Sequence, residues 1–328
     1  MLHGDGGESS IRKMIVLETT EAVVAEAAHV SIDAAAIERW AGALTRQSLH
    51  TSGHELYAQL PGDQKQLANL TLLVDALNFC FWSGDPIRIQ WRGQTYERFC
   101  AMFVSLMLAA KCDSKWFDAE FWIRVPREEI RQVLSGQGRL LMLEEREQII
   151  RETGRVLLER FDGQFLHAVE SVNERAWPLA VLLMTNFDSF RDVSDYGSRP
   201  VYFMKRAQIC ALDLSVAWGR HGNPPLSGLE ELTAFADYRI PQALRHLGIL
   251  RFATELASAV DMEEELARGS AEEVEIRAAS IQAVDRMVTA ARQAGRQTTA
   301  WEVDWHLWKL SHQPSVRMKH HRTRTVYY

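Results

Sequence analysis

Apolar residues return every three or four positions through most of this chain, and a chain with that period buries its stripes by packing helix on helix. The clearest run is Leu67, Leu70, Leu73, Val74 and Leu77, which follows Asp63, a good helix-capping residue. Comparable spacing predicts a helix from Ser31 to Leu44 with Ser31 as its cap, and others over Arg98 to Lys111, Pro126 to Leu134 and Leu143 to Phe161. Further helices are expected over Gln164 to Val172, Ala176 to Phe187, Val201 to Trp218, Ala253 to Arg268, Ala271 to Ala294 and Thr299 to Ser311. One stretch breaks the period: Ile87, Ile89 and Trp91 alternate with Arg88, Gln90 and Arg92, and Arg92-Gly93 turns the chain toward Thr95 and Tyr96. The expected fold class is therefore all-α, mainly helical, with one small β-hairpin.

The chain has 328 residues, 47% hydrophobic and 24% charged, with no repeat and no long linker, so residues 1–328 are expected to form a single compact helical domain. A formal net charge of −6 works against coating a long polyphosphate, which needs many Lys and Arg contacts, but leaves room for a mononucleotide. Cys80, Cys100, Cys112 and Cys210 are too widely spaced for a CxxC metal site or a disulfide framework, so reduced thiols and no metal are expected. No apolar run approaches the roughly 20 residues that cross a bilayer, and MLHGDGGESS lacks a signal-peptide pattern, which predicts a cytoplasmic protein with no membrane partner.

GxSxG, HExxH, P-loop and helix-opening GxGxxG patterns are all missing, which leaves acid–base chemistry by scattered side chains. Asp237 follows the apolar run Leu232, Ala234, Phe235 and Ala236, where a helix from Leu229 to Ala236, capped by Ser227, is expected to end. A second short helix follows from Pro241 to Gly248, so residues 227–250 read as a helix-hairpin-helix-like segment without the glycines usual in the hairpin. A partly desolvated carboxylate there can stabilise a cation developing at a sugar carbon; alternatively it pairs with Arg239 or bonds the turn amides.

Lys205 shares a mostly apolar helix side with Gln208, Ile209 and Leu212, so it requires a partner or ligand unless it snorkels past the core edge, while Arg206 and Asp213 face solvent. Asp304 lies within the i, i+3, i+4, i+7 stripe of Trp301, Trp305 and Trp308, a pattern usual for core, where a buried carboxylate needs donors. Phe79, Phe81 and Trp82 suit packing or the stacking of a heterocycle. The tail from Arg317 to Arg324, with four Lys or Arg, is a phosphate clamp or a solvated end before it is a nucleic-acid patch.

Six motifs in order extend this reading: Asp75 to Trp82 (Asp-Ala-Leu-Asn-Phe-Cys-Phe-Trp), Phe187 to Asp192 (Phe-Asp-Ser-Phe-Arg-Asp), Lys205 to Ile209 (Lys-Arg-Ala-Gln-Ile), Phe235 to Gln242 (Phe-Ala-Asp-Tyr-Arg-Ile-Pro-Gln), Val274 to Arg277 (Val-Glu-Ile-Arg), and the closing His321-Arg322 and Tyr327-Tyr328. Together they resemble the queuosine salvage protein family, from about the Ser31 helix to the last residue. The resemblance implies hydrolysis of queuosine 5'-monophosphate to queuine and ribose 5-phosphate, without a cofactor, on a helical scaffold similar to helix-hairpin-helix DNA glycosylases. It carries the family's catalytic aspartate onto Asp237 and its catalytic lysine onto Lys205.

Queuine is a 7-deazaguanine, so the ring nitrogen that purine glycosidases often protonate is a carbon. Its side chain bears an ammonium, which Asp304 is expected to receive. Phe79 and Phe235 would sandwich the base, Asn78 would read its edge, and Tyr238 would fix the ribose. Lys205, helped by Arg239, His54 or Arg322, would take the 5'-phosphate. Asp188, Asp192 and Glu275 are assigned to structural ion pairs. The expected partners are thus the mononucleotide and queuine, with no stable nucleic-acid partner. The competing readings are a DNA or tRNA glycosylase, which the acidic charge disfavours, and a non-enzymatic helical nucleotide-binding adaptor.

Overall fold

A computed structural model describes residues 13–44 and 55–328. Among these the chain forms α1 (Lys13–Glu26), β1 (Val30–Ile32), α2 (Ala34–Ala43), α3 (Gln64–Ala76), β2 (Arg88–Trp91), β3 (Gln94–Glu97) and α4 (Arg98–Cys112). There follow α5 (Ala119–Trp122), α6 (Arg127–Val133), α7 (Leu143–Phe161), α8 (Phe165–Ser171), α9 (Ala176–Asn186), β4 (Val193–Tyr196), β5 (Arg199–Tyr202) and α10 (Lys205–Arg220). The last elements are α11 (Arg239–His246), β6 (Leu250–Phe252), α12 (Thr254–Asp261), α13 (Ala271–Gln293) and α14 (Ala300–Ser311). No helix among the described residues is long and apolar enough to cross a membrane.

The contacts gather into two compact units, each assembled from separate stretches of chain. The first holds described residues 13–44, 192–205 and 228–324; the second holds 55–191, 206–227 and 325–328.

The first unit is built around α13, whose residues are buried almost continuously from Glu273 to Val284. Ser270 caps it by accepting the N–H of Glu273. Helices α1, α2, α11 and α14 pack on α13. Two antiparallel ribbons complete the unit: β1 with β6, in register Val30 to Phe252 and Ile32 to Leu250, and β4 with β5, in register Val193 to Tyr202 and Tyr196 to Arg199.

These ribbons correct the expectation of a single hairpin. Strands of three or four residues carry too little alternation to be read locally, and β1 meets a partner far along the chain. Ser31 accordingly lies in β1 instead of capping a helix; Asp33 caps α2 through the N–H of Ala36. Likewise the helix expected from Val201 begins at Lys205, because residues 199–202 are spent on β5.

The helix expected over Leu229–Ala236 is a single 3-10 turn at Leu229–Glu231, after which the chain runs extended. The cause is visible in the bonding. The N–H of Phe235 goes to the Asp304 carboxylate at 2.8 Å and the carbonyl of Ala236 to the Arg277 guanidinium at 3.0 Å, so distant side chains satisfy groups a helix would have paired internally.

The second unit packs α3 against α4, α7 and α8, with α3 buried from Leu67 through Ala76. The capping box of Asp63 and Gln66 starts that helix as its sequence predicts. The expected hairpin is present, with Ile89 opposite Tyr96 and Trp91 opposite Gln94. Its two turn residues, Arg92 and Gly93, both have positive φ (49° and 76°), which matches the right-handed twist of the strands. Arg146 and Arg206, both fully buried, close the far end of α3. Arg206 donates to the carbonyls of Asp75, Ala76 and Ser189, and Arg146 to those of Leu77 and Phe79, so the orphan carbonyls of a helix C-terminus meet positive charge. Arg206 is thus a core residue, not the solvated one expected.

The acid Glu275 shows how strongly the first unit leans on such ties. Its carboxylate accepts the N–H groups of Ala28, His29 and Val30 at 3.1, 2.6 and 3.0 Å and the hydroxyl of Tyr196 at 2.9 Å. Replacing it with glutamine points an amide N–H₂ at donors, and charge-assisted bonds are worth ~1.5–3 kcal/mol each. Glu275→Gln should lower unfolding stability by about 2–4 kcal/mol with an unchanged denaturant slope; urea titration showing a loss under ~1 kcal/mol would contradict this account.

Candidate active site

Asp237 stands two residues ahead of α11. Its Oδ1 accepts the N–H of Arg239 at 2.6 Å and of Ile240 at 3.0 Å, two first-turn donors that the helix cannot satisfy itself. Both bonds fall on Oδ1. The turn therefore takes one oxygen and fixes the direction of the other, on a side chain only 9% exposed. Of the two structural alternatives for this acid, the structure has the bonding to turn amides.

Lys205 is the first residue of α10 and is 4% exposed. Its N–H donates to Asp192 Oδ2 at 3.0 Å. Asp192 is gripped at both oxygens by Arg277, at 2.9 and 2.7 Å, and lies at the base of the β4–β5 ribbon, as a structural ion pair should. Arg277 also covers the ring of Phe203 at 3.9 Å.

Asp304 belongs to the buried face of α14 with Val303 and Leu307, while Trp301, Trp305 and Trp308 are half-buried at its margins. The tryptophans are thus a flank and not the core expected from their spacing; Trp305 and Trp308 stack on each other at 5.1 Å. Burial, and then the neighbouring charge of Asp237, push the Asp304 carboxyl well above the usual carboxylate range, against the opposing pull of the Phe235 N–H and the Lys205 ammonium. Asp237, Lys205 and Asp304 thus share one neighbourhood of the first unit, Asp304 being bonded to the N–H of Phe235 two residues before Asp237. Such an arrangement sets a buried acid that favours its neutral form within electrostatic reach of a second carboxyl and an ammonium.

Three other expected site residues lie in the same unit. Phe235 and Tyr238 are buried, and Arg239 is half-buried. Tyr238 meets the imidazole of His320 at 4.8 Å, and the Arg239 guanidinium lies 5.6 Å from the Tyr238 ring while donating to Gln242 Oε1 at 2.9 Å. The basic tail is laid down on this unit. Gln242 Nε2 donates to the Met318 carbonyl at 2.6 Å, Arg322 and Lys319 pair with Glu263 at 2.6 and 3.4 Å, and Arg324 pairs with Glu265 at 2.9 Å. Arg322 is therefore already engaged by an acid. His321 is buried, and burial, helped by His320, Arg277 and Arg245, pushes its pKa down to about 3, so it is neutral at working pH.

Asn78 and Phe79 belong to the second unit. There Phe79 is held between the guanidiniums of Arg146 and Arg206, 4.0 and 5.1 Å from its ring, and Asn78 donates to Asp75 Oδ1 at 3.3 Å. His54 lies outside the described residues.

Arg277 closes one of the six motifs, but the sequence reading gave it no role. A signal for it exists: it falls on the stripe of α13 that also carries Val274 and Ile281, a face where arginine is never left unpaired.

A mainly helical scaffold with a buried site of two carboxyls and a lysine defines the class as a helical protein equipped for acid–base chemistry. Residues 58–328 match the model of the family described as queuosine salvage protein, and the chain belongs to that family. A Sphaerobacter thermophilus protein, queuosine 5'-phosphate N-glycosylase/hydrolase, is 38% identical over 314 residues, covering 95% of this chain and 97% of its own. Proteins of the same name from Bos taurus and Mus musculus are 33% and 32% identical, covering 84% and 93% of this chain and 85% and 92% of their own.

The state of Asp304 has a consequence for stability. An acid whose pKa is raised by folding binds its proton more tightly when folded, so its contribution is intact below its unfolded value of 3.8 and declines as pH rises above it. Asp304→Asn keeps an acceptor for the Phe235 N–H and is neutral throughout. Between pH 4 and 8 the variant should therefore show a flatter decline in melting temperature than the wild type, and a steeper one would contradict the assignment.

Proposed function

We propose that this protein hydrolyses the N-glycosidic bond of queuosine 5'-monophosphate, releasing queuine and ribose 5-phosphate. The observation that carries the reading is the bonding of Asp237: both turn N–H groups fall on Oδ1, and we assign Oδ2 to the chemistry, with Asp304 within reach of its charge. Membership of the queuosine salvage family and the shared name of the relatives support the substrate.

In this reading the bond from C1' to the base breaks with its electron pair leaving on the base, and positive charge develops over C1' and the ring oxygen. Asp237 stabilises that charge at close range in a water-poor setting and takes a proton from the water that attacks C1', and this proton is passed on to the base nitrogen, so that queuine departs neutral. Lys205, with Arg239 as helper, holds the 5'-phosphate, whose charge the two cations complement. Tyr238 fixes the ribose and Phe235 offers a face to the base. The likeness to helix-hairpin-helix glycosylases is proposed for the turn and the helix α11 that present Asp237, since the first arm of that segment is extended.

Asp304 receives the side-chain ammonium of queuine. A cation there favours the ionised carboxylate, so binding expels the proton that burial otherwise retains, and queuine affinity rises with pH. Calorimetry of queuine and guanine binding to Asp304→Asn should show the larger loss for queuine; equal losses would remove the cation role. For the reaction itself, chromatography of the products from queuosine 5'-monophosphate should show Asp237→Asn slower by ~10²–10⁴-fold, the usual worth of acid–base catalysis. Normal turnover in that variant would take Asp237 out of the mechanism.

A further inference from the structure

The two residues assigned to the chemistry are tied by their main chains to one buried ion pair. The Asp192 carboxylate accepts the N–H of Lys205 at 3.0 Å, and the Arg277 guanidinium that grips it at 2.9 and 2.7 Å also donates through Nε to the carbonyl of Ala236, directly before Asp237, at 3.0 Å. The paired side chains are 1% and 2% exposed.

The approach to Lys205 is constrained further. Met204 adopts φ of +54°, a conformation that a bulky L-residue rarely holds unless its surroundings enforce it. Here the enforcement comes from Asp192, whose carbonyl accepts the N–H groups of Phe203 and Met204 at 3.0 and 3.3 Å, while its carboxylate takes that of Lys205. The strained residue thus sits between two bonds to the same aspartate, immediately ahead of the lysine.

We infer that Asp192 and Arg277 are positioning residues that set the distance between the Lys205 and Asp237 side chains and so govern the rate of the glycosidic step. The inference rests on the N-glycosidase reading and adds where its rate is controlled. Neither residue is assigned a contact with the substrate. Loosening the pair leaves the Asp237 carboxyl and the phosphate-holding Lys205 present but lets them drift, and a displacement of ~1 Å remote from the chemistry costs about 10²-fold in rate. Lysine cannot replace the arginine, because one ammonium cannot bridge two carboxylate oxygens and the Ala236 carbonyl in a fixed plane.

The test is steady-state hydrolysis of queuosine 5'-monophosphate by the full chain, with Arg277→Lys and Asp192→Asn compared with wild type and Asp237→Asn. Folded variants should lose about 10²-fold in kcat with KM within about threefold, a split that lost stability alone does not produce. A kcat within threefold of wild type in a folded variant overturns the inference. If both substitutions prevent folding, Lys205 is replaced by its α-hydroxy acid through nonsense suppression, which deletes only the N–H that Asp192 accepts. This protein should again show a lowered kcat, and an unchanged value overturns the proposal. If wild type releases no base, or Asp237→Asn works normally, the reading of the site itself fails; if Asp237→Asn is inactive while the pair variants are fast, the positioning role alone fails.

Discussion

The pair of Asp192 and Arg277 is the interaction on which the first unit depends. Removing two charges from water is expensive, and their attraction offsets that expense only when every remaining donor and lone pair is used. Here they are used: Asp192 accepts the two guanidinium nitrogens and a backbone N–H, and Arg277 adds the Ala236 carbonyl and the face of Phe203. Glu273 lies 3.7 Å from the same guanidinium. The pair therefore joins α13, the β4–β5 ribbon and the extended stretch before α11, three segments with no local reason to meet.

Both units settle the same problem, that of backbone groups which secondary structure leaves unpaired, by opposite means. In the second unit arginines supply donors to the carbonyls that finish α3, and no carboxylate takes part in those bonds. In the first unit acids do most of it: Glu275 takes three N–H groups ahead of β1, Asp304 takes that of Phe235, Asp192 that of Lys205 and Asp237 two at α11.

This contrast explains what could be read from the sequence. Helices whose stripe is local, such as α3, capped by Asp63, and α7 from Leu143 to Phe161, stand where the periodicity places them. The hairpin at Arg92-Gly93 was equally legible, because turn and alternation lie within ten residues. The extended run before Asp237 was not: its apolar residues mimic a helix, and what unwinds it is bonding to Asp304 and Arg277, residues far along the chain. For the same reason Arg206 looked like a surface residue, since the carbonyls it serves belong to a different helix. In the site, the motifs named Asp237 and Lys205, while the residue linking them had to be seen in space.

The chemistry follows from how the acids share their oxygens. An aspartate that spent both oxygens on turn amides would be a cap and nothing more; one that spent neither would have no fixed direction. Asp237 spends one, and the helix start it satisfies is also where a negative charge is favoured by the peptide dipoles. Asp304 moderates the result. Two buried carboxylates close together resist ionisation jointly, and here burial and the neighbouring Asp237 charge push the Asp304 carboxyl upward.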